Sequence, residues 1–409
     1  MSTLLHAEQE ARTYEPRAEG LGEGRPIFVG GPRLTALEMF GRDARNNHAD
    51  WFAGAEIHYV HAARTAIQRA LSLLALSPGD EILVPAYHCG SELDVLLKAG
   101  ATVRLFRTSI TGEIDLDDLR SRITGRTRAI YVIHYFGFAQ PLQPIVELCR
   151  TKGLFLIEDC ALSLLTEVNG RRIGSDGDMA VYNFPKTLPV PDGGALVVNN
   201  PDLKCRSWSL RPPSLPGIAC NAARLLRQGL LHALPDTWVR RLFAIFRSGP
   251  EIEPPQLSPR PEMPEAYFFR PAMRGRSMSR LSTRIMARMD LTEVRRRRRL
   301  NYSCLLKRLS KLSGIELLFK TMPANVCPLF LPILTAHPRE MVHRLHSFSI
   351  PAIAWWAGYH PFFPANSEFP EARYLKDHVI ALPIHQQLDE PAIEFIGDRL
   401  EDCLIVCAT

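Results

Sequence analysis

Apolar residues recur along this chain at two spacings. Between positions 58 and 76, Ala62, Ala66, Ala70, Leu73 and Leu74 fall three or four apart, the spacing of one helix face. Ser77-Pro78-Gly79-Asp80 ends that pattern, and residues 81–85 (EILVP) read as a short strand. The alternation continues with a helix at 91–99, a strand at 103–106, a helix at 115–122, a strand at 129–134 (AIYVIH), a helix at 144–152 and a strand at 155–157. Strands alternating with helices predict a parallel, doubly wound sheet. Such sheets hold ligands at the carboxyl ends of their strands, and Tyr87-His88, His134 and Asp159 all follow predicted strand ends.

The second half of the chain reads differently. Seven prolines between 249 and 271 predict an irregular segment. A long helix is predicted over 278–312, with Leu281, Ile285, Met289 and Leu300 apolar. A strand at 328–334 and helices at 338–346 and 390–406 then make a compact α+β unit. The division predicted is a disordered tail at 1–27, a large domain at 28–277 with an insertion at about 204–271, and a linking helix plus small domain at 278–409.

The densest chemistry lies between Ile157 and Val198, which reads IEDCALSLLTEVNGRRIGSDGDMAVYNFPKTLPVPDGGALVV. Asp159 closes one apolar run. Lys186 sits in a loop before Asp192-Gly193-Gly194 and the apolar run 195–198. A lysine amine that can anchor an aldehyde, together with a carboxylate that can hold a ring nitrogen protonated, are the two groups a pyridoxal 5'-phosphate (PLP) site requires. The competing reading is a surface lysine and a strand-end aspartate of an ordinary α/β protein. Asp192 is read as a turn residue. His134 either lines the site or satisfies a loop carbonyl. Trp355-Trp356 either pack in the core or approach substrate.

With 409 residues, 46% apolar and 22% charged, the chain has the composition of a globular protein. Nine cysteines without a CxxC pair point to reduced thiols and to no metal site. The first residues lack the apolar core of a secretory signal, and no apolar run is long enough to span a membrane. The net charge of +6 is uneven. Lys204, Arg206, Arg211, Arg224, Arg227, Arg240, Arg241 and Arg247 share their segment with one acid, Asp236, and five arginines follow at Arg295 to Arg299. That asymmetry predicts an anionic partner. Two apolar stripes lie in the insertion: Ala222, Leu225, Leu226, Leu230, Ala233 and Leu234, then Trp238, Val239, Leu242, Phe243 and Phe246. They predict either peripheral contact with an anionic membrane or packing against the large domain or a second subunit. Few aromatics interleave the basic run and no nucleic-acid module is recognisable, so nucleic acid is not an expected partner.

Taken in order, these motifs resemble the DegT/DnrJ/EryC1/StrS family of fold-type-I PLP-dependent enzymes, mostly sugar aminotransferases. SPGDEILVPAYHCGSELDVLLKAGATVRLF, VIHYFG, IEDCA, the lysine loop K-x6-GG and LPIHQQLDEPAIEFI each resemble a family motif, from about residue 50 to the C-terminus. The resemblance implies a large α/β domain with a mostly parallel sheet, a smaller C-terminal α+β domain and a homodimer. It places Lys186 on the cofactor-anchoring lysine and Asp159 on the partner of the pyridine nitrogen. It places Ala63-Arg64-Thr65-Ala66 at the helix start that binds the cofactor phosphate, with Asn183 a further phosphate donor. Five departures stand out. Ala63 and Arg64 replace Gly and Thr, and Leu162 replaces a polar residue. The lysine loop is short. Cys89 stands at the ring-stacking aromatic, a role left to Tyr87 or His88. Gly275 stands near an asparagine that reaches the neighbouring subunit's phosphate, a role left to the flanking Arg274 and Arg276. The activity implied is conversion of a nucleotide-linked keto-sugar to an amino sugar with an amino donor, in envelope polysaccharide or natural-product synthesis. The location implied is cytoplasmic, with contact at the inner membrane face through the insertion. The departures support a second reading, a degenerate scaffold or regulatory protein on the same fold.

Overall fold

The computed structural model describes residues 31–203, 209–233, 261–365 and 368–407. The predicted tail at 1–27 and the second apolar stripe of the insertion lie outside the described residues, as do Lys204, Arg206, Arg240, Arg241 and Arg247.

A seven-stranded sheet organises the first half. Its strands in chain order are β1 (Glu56–Val60), β2 (Glu81–Pro85), β3 (Thr102–Phe106), β4 (Thr127–Ile133), β5 (Phe155–Asp159), β8 (Met179–Asn183) and β9 (Gly194–Val198), and β6 (Glu167–Val168) pairs only with β7 (Arg171–Arg172). The spatial order is β1-β9-β8-β5-β4-β2-β3. β3, β2, β4, β5 and β8 are parallel; β9 runs antiparallel to both β8 and β1. The near-continuous apolar strands EILVP and TRAIYVI suit a sheet buried on both faces. A second, antiparallel sheet takes the order β10-β11-β13-β12, from β10 (Glu316–Leu317), β11 (Phe330–Leu334), β12 (Ile353–Ala354) and β13 (Val379–Pro383). One continuous apolar core includes Val84, Ile133 and Val181 of the first sheet and Ile333, Ile380 and Leu382 of the second. The two sheets therefore meet through packed side chains.

Two sequence expectations are corrected. Residues 58–60 belong to β1, paired with β9 from Glu56↔Val198 to Val60↔Gly194, and the helix is Ala63–Leu74. The periodic alanines begin one position before the helix, so periodicity alone placed its start too early. The predicted helix over 278–312 is two helices, Arg280–Ala287 and Leu291–Leu309. Asp290 makes the break, because its carboxylate accepts from the Thr292 and Glu293 amides and caps the second helix.

The arginine run at 295–299 is dispersed around its helix, and each of the five has a partner in its own chain. Arg295 pairs with Glu167 at 2.9 Å, Arg296 and Arg297 with Glu293 at 2.6 and 3.7 Å. Arg298 is buried, and Arg299 donates to the Pro323 and Val326 carbonyls. Helical geometry spreads five consecutive residues around the whole axis, so they face different surroundings, with Arg296 and Arg297 sharing Glu293. The first stripe of the insertion, save Leu234, which lies outside the described residues, falls on the helix Leu215–Ala233, where Leu225 packs into the core while Leu226 is exposed. Asn221 on that helix donates to the Pro191 carbonyl at 3.0 Å. Trp355 is buried and stacks on Trp356 at 5.5 Å between centroids, which is the packing role.

Strand alternation separates two adjacent carboxylates. Asp159 shares a face of β5 with Ile157, and Glu158 takes the other with Leu156. Glu158 accepts from the Gly174, Asp176 and Gly177 amides at 3.1, 2.9 and 2.5 Å and from His134 Nε2 at 3.0 Å. His134 Nδ1 in turn accepts from the Gln140 amide at 3.0 Å, so the ring is the Nε2–H tautomer. His134 therefore satisfies a loop amide, where a carbonyl was expected. Cys160 lies within 4.8 Å of both groups, yet the histidine and carboxylate atoms that would face an ion are already bonded.

Those bonds hold Glu158 below the usual carboxylate range despite its burial. A depressed folded value stabilises the fold fully above the unfolded value of about 4.3, and the gain is lost as pH falls through the lower folded value. Glu158→Gln is expected to cost about 3 kcal/mol at pH 7, since it leaves buried donors facing an amide. Urea unfolding should show that difference at pH 7 and a smaller one below pH of about 4.

Candidate active site

Parallel pairing brings the ends of β8, β5, β4 and β2 side by side. Lys186 follows β8, Asp159 ends β5, Tyr131 lies in β4, and Tyr87 to Cys89 follow β2. The Lys186 charge acts on Asp159, Glu92 and Cys89. Asp159 is buried, and its carboxylate accepts from the Tyr131 hydroxyl at 2.6 Å and the Ala161 amide at 2.9 Å. Burial, and then the charge of Glu92, push the Asp159 carboxyl above its ordinary range. The fold by itself thus holds an acid short of positive charge.

Glu92, Tyr131 and Tyr135 were not singled out from sequence. Glu92 sits in the first turn of the helix Ser91–Lys98 and accepts from the Cys89 amide at 3.0 Å, the Cys89 thiol at 2.7 Å and the Ser91 hydroxyl at 3.2 Å. Burial, and then the charge of Glu92, push the Cys89 thiol up to about 12, so it stays protonated. Tyr135 donates to the Tyr87 carbonyl at 2.7 Å and shares an aromatic cluster with Tyr87 and Trp356. The available signals were a phenol inside an apolar strand and an acid opening a helix. Both occur so often in structural roles that they carry little weight alone.

The expected site residues differ in placement. Tyr87 is buried with its hydroxyl unpartnered, and its ring lies 5.1 Å from that of Trp356. His88 turns toward Phe363, 6.1 Å between centroids, and burial lowers it to about 3, so it is neutral. The buried Asn183 Oδ1 has no partner. Amide oxygen and nitrogen exchange places on a flip, so this position can equally present a donor. Arg64 donates to the Phe268 carbonyl at 3.1 Å and Thr65 Oγ1 to the Met273 carbonyl at 3.2 Å, so the Thr65 hydroxyl has spent its proton. Arg276 donates to the Ala272 and Pro212 carbonyls of its own chain. Arg274 lines a separate cavity of about 280 Å³ with Arg69, Arg211 and Ser72.

The start of the helix Ala63–Leu74 approaches β9 closely. Its N-cap, Ala62, offers no side-chain acceptor, so the positive helix end stays open to another anion. A Cβ at Gly194 would stand 2.7 Å from the Ala62 carbon and the Ala63 nitrogen, so only glycine lets β9 pass there. Asp192 is more than a turn residue. Buried, it accepts from the Ser279 amide at 3.0 Å, from the Ser279 and Ser282 hydroxyls, and from His61 at 3.3 Å. It thereby ties the end of the lysine loop to the helix Arg280–Ala287. Leu162 lies in the core.

A lysine, an aspartate and an uncapped helix start lie at the carboxyl edge of a mostly parallel sheet, in an α/β fold that aminotransferases of known structure share. Residues 53–221 match the model of the DegT/DnrJ/EryC1/StrS aminotransferase family. It is 34% identical to GDP-perosamine synthase of Vibrio cholerae over 149 residues, 35% of this chain and 40% of that protein. It is 31% identical to dTDP-3-amino-3,4,6-trideoxy-alpha-D-glucose transaminase of Streptomyces venezuelae over 211 residues, 50% of this chain and 53% of that one. The chain thus spans about half or less of the length of these curated relatives. The aminotransferase TlmJ of Streptoalloteichus hindustanus shares the fold with a TM-score of 0.66, covering 93% of this chain and 99% of its own at 21% identity. A candidate sugar aminotransferase of Streptococcus pneumoniae, solved in a PLP form, does so at 0.64 over 96% and 98% with 15% identity.

Asp159 supplies a test that needs no ligand. Its raised folded value means that ionising it costs stability once pH exceeds the unfolded value of about 3.9, in full above the folded value. Asp159→Asn should therefore raise the Tm of the cofactor-free protein at pH 7, and the gain should vanish below pH of about 4. A lower Tm at pH 7 would contradict the charge balance described for this site.

Proposed function

We propose that this protein is a PLP-dependent aminotransferase that converts a keto-sugar, in nucleotide-linked form, to an amino sugar. The observation that carries the reading is a buried Asp159, short of positive charge, at the end of the strand beside the one that leads to Lys186. A protonated pyridine ring is the counter-charge such a carboxylate fits. The unpartnered Tyr87 hydroxyl and Asn183 amide, and the uncapped helix start, fit a ring with polar substituents and a phosphate. Lys186 would hold the cofactor, with the open start of the helix Ala63–Leu74, Arg64 included, and Asn183 at its phosphate and Tyr87 and His88 in the wall behind Cys89. The site of a homodimer would add Arg274 and Arg276 from the second copy. Bound PLP would supply an electron sink for carbanion chemistry. Lys186 Nζ would hold and return a proton at the amino donor's α-carbon. Asp159, kept in place by Tyr131 and Ala161, would keep its charge facing the ring nitrogen. The transaminase name of the Streptomyces venezuelae relative supports the reaction class, and the nucleotide-sugar names of that relative and of the Vibrio cholerae GDP-perosamine synthase support the substrate class.

Borohydride reduction of protein supplied with PLP, followed by peptide mapping, should place one pyridoxyl group on Lys186. A label elsewhere, or none, refutes the reading. Asp159→Asn should keep the fold and slow the half-reaction with an amino donor by orders of magnitude.

Among the described residues no helix is long and apolar enough to cross a membrane. A second reading, peripheral contact with an anionic membrane, is favoured by exposed Leu215 and Leu226 beside Arg227 on the helix Leu215–Ala233. Binding to anionic vesicles should then weaken as salt rises and its screening length falls toward about 8 Å. Replacing Trp238, Leu242, Phe243 and Phe246 with serine should abolish it without loss of PLP. Wild-type protein that ignores such vesicles at low salt excludes this contact.

A further inference from the structure

Two cations from the second half of the chain are buried beside the candidate site without a carboxylate partner. Lys376, on the helix Pro370–His378, is 1% exposed. Its ammonium donates to the His88 carbonyl at 2.7 Å, to that of Trp356 at 2.9 Å and to that of Gly358 at 3.0 Å. All three of its protons are spent on main-chain oxygens. The rings of Tyr359 and Phe363 cover it, their centroids 5.2 and 6.0 Å away. Arg298, on the helix Leu291–Leu309, is likewise 1% exposed. It donates to the Thr187 carbonyl at 3.1 Å, the Leu329 carbonyl at 3.0 Å and Gln386 Oε1 at 2.8 Å. Gln386 Nε2 adds a second donor to Thr187, at 3.2 Å.

Burying a charge without a counter-ion is costly, and an apolar side chain of similar size would fill either place with less desolvation. Burial lowers Lys376 to about 8 and Arg298 to about 10. What the cations add over an apolar side chain is direction. Each holds a carbonyl from a distant segment, and the two segments are those that frame the site. His88 stands between Tyr87 and Cys89, and Thr187 directly follows Lys186. The other contacts of both cations, at Trp356, Gly358, Leu329 and Gln386, belong to the unit built around the second sheet.

We infer that Lys376 and Arg298 are positioning residues: from the second unit, one fixes the Tyr87–Cys89 wall and the other the Lys186 loop, so that the site keeps its shape only while the two units are docked. In its bearing on catalysis this rests on the PLP reading above; as a statement of geometry it stands without it. Hydrogen exchange on the cofactor-free protein tests the geometry. In Lys376→Met the amides of residues 86–90 should exchange about ten-fold faster than in wild type, while Thr187, Leu188 and Val190 keep their rates. In Arg298→Met the pattern should reverse. Lys376→Gln, which still donates two bonds, should regain part of the lost protection. Equal loosening of both segments in each variant would reduce the two cations to general stabilisers and overturn the inference. Unchanged exchange would overturn it as well. Should Lys376→Met fail to fold, Lys376→Gln carries the same comparison with a smaller expected change. PLP titration separates the two claims. Each methionine variant should bind PLP about ten-fold more weakly than wild type at a temperature where it remains folded. Wild type that takes up no PLP defeats the functional reading and leaves the exchange result to decide this one.

Discussion

Parallel pairing puts the carboxyl ends of β8, β5, β4 and β2 on one edge of the sheet, and the chemistry of the molecule depends on that edge. Residues from positions 87, 131, 159 and 186 become neighbours only because their strands share a direction and an order. The period of two within β5 then decides which of two adjacent carboxylates serves the site. Glu158 turns to a nest of amides and the His134 ring, where every oxygen is satisfied. Asp159 turns to the face that Lys186 overlooks, where burial leaves it short of positive charge. One strand therefore carries a structural acid and a candidate functional acid side by side.

That shortage of charge is a conflict between stability and function. A buried acid repelled by Glu92 raises the free energy of the cofactor-free fold, and a bound cation would relieve it. The surrounding contacts are arranged to hold the conflict in place. Tyr131 and the Ala161 amide fix the carboxylate, and Asp192 fixes the far end of the lysine loop through Ser279, Ser282 and His61. Cys89 stays protonated because burial and the neighbouring Glu92 disfavour its thiolate, and the thiol donates a hydrogen bond to Glu92. It therefore adds no charge of its own to the surroundings of Lys186.

Local charge density in the sequence was a poor guide to electrostatic purpose here. The five arginines at 295–299 are the most conspicuous basic feature of the chain, and four of them serve ion pairs or loop carbonyls in their own surroundings. The fifth, Arg298, is withdrawn from solvent and bonded to the residue after Lys186. Lys376 stands in no basic cluster at all, yet it reaches the other wall of the site. A run of like charge reports composition, whereas a single buried charge acts through whatever carbonyls the fold places around it.

By itself the sequence determined the class of fold, the alternation of strands and helices from Glu81 to Ile157, and the two residues, Asp159 and Lys186, that define the candidate chemistry. These were legible because period, turn residues and strand-end position are local properties. The helix break at Asp290 could have been read from a capping residue, but the apolar spacing across it concealed the break. What only the tertiary structure decided is how distant residues meet. Glu92 and Tyr131 join Asp159, His88 turns away to Phe363, the hydroxyl of Thr65 is taken by Met273, and the second unit grips both walls of the site through Lys376 and Arg298. Each of these depends on burial and on contacts between residues far apart in the chain, and neither is encoded in the spacing of residues along it.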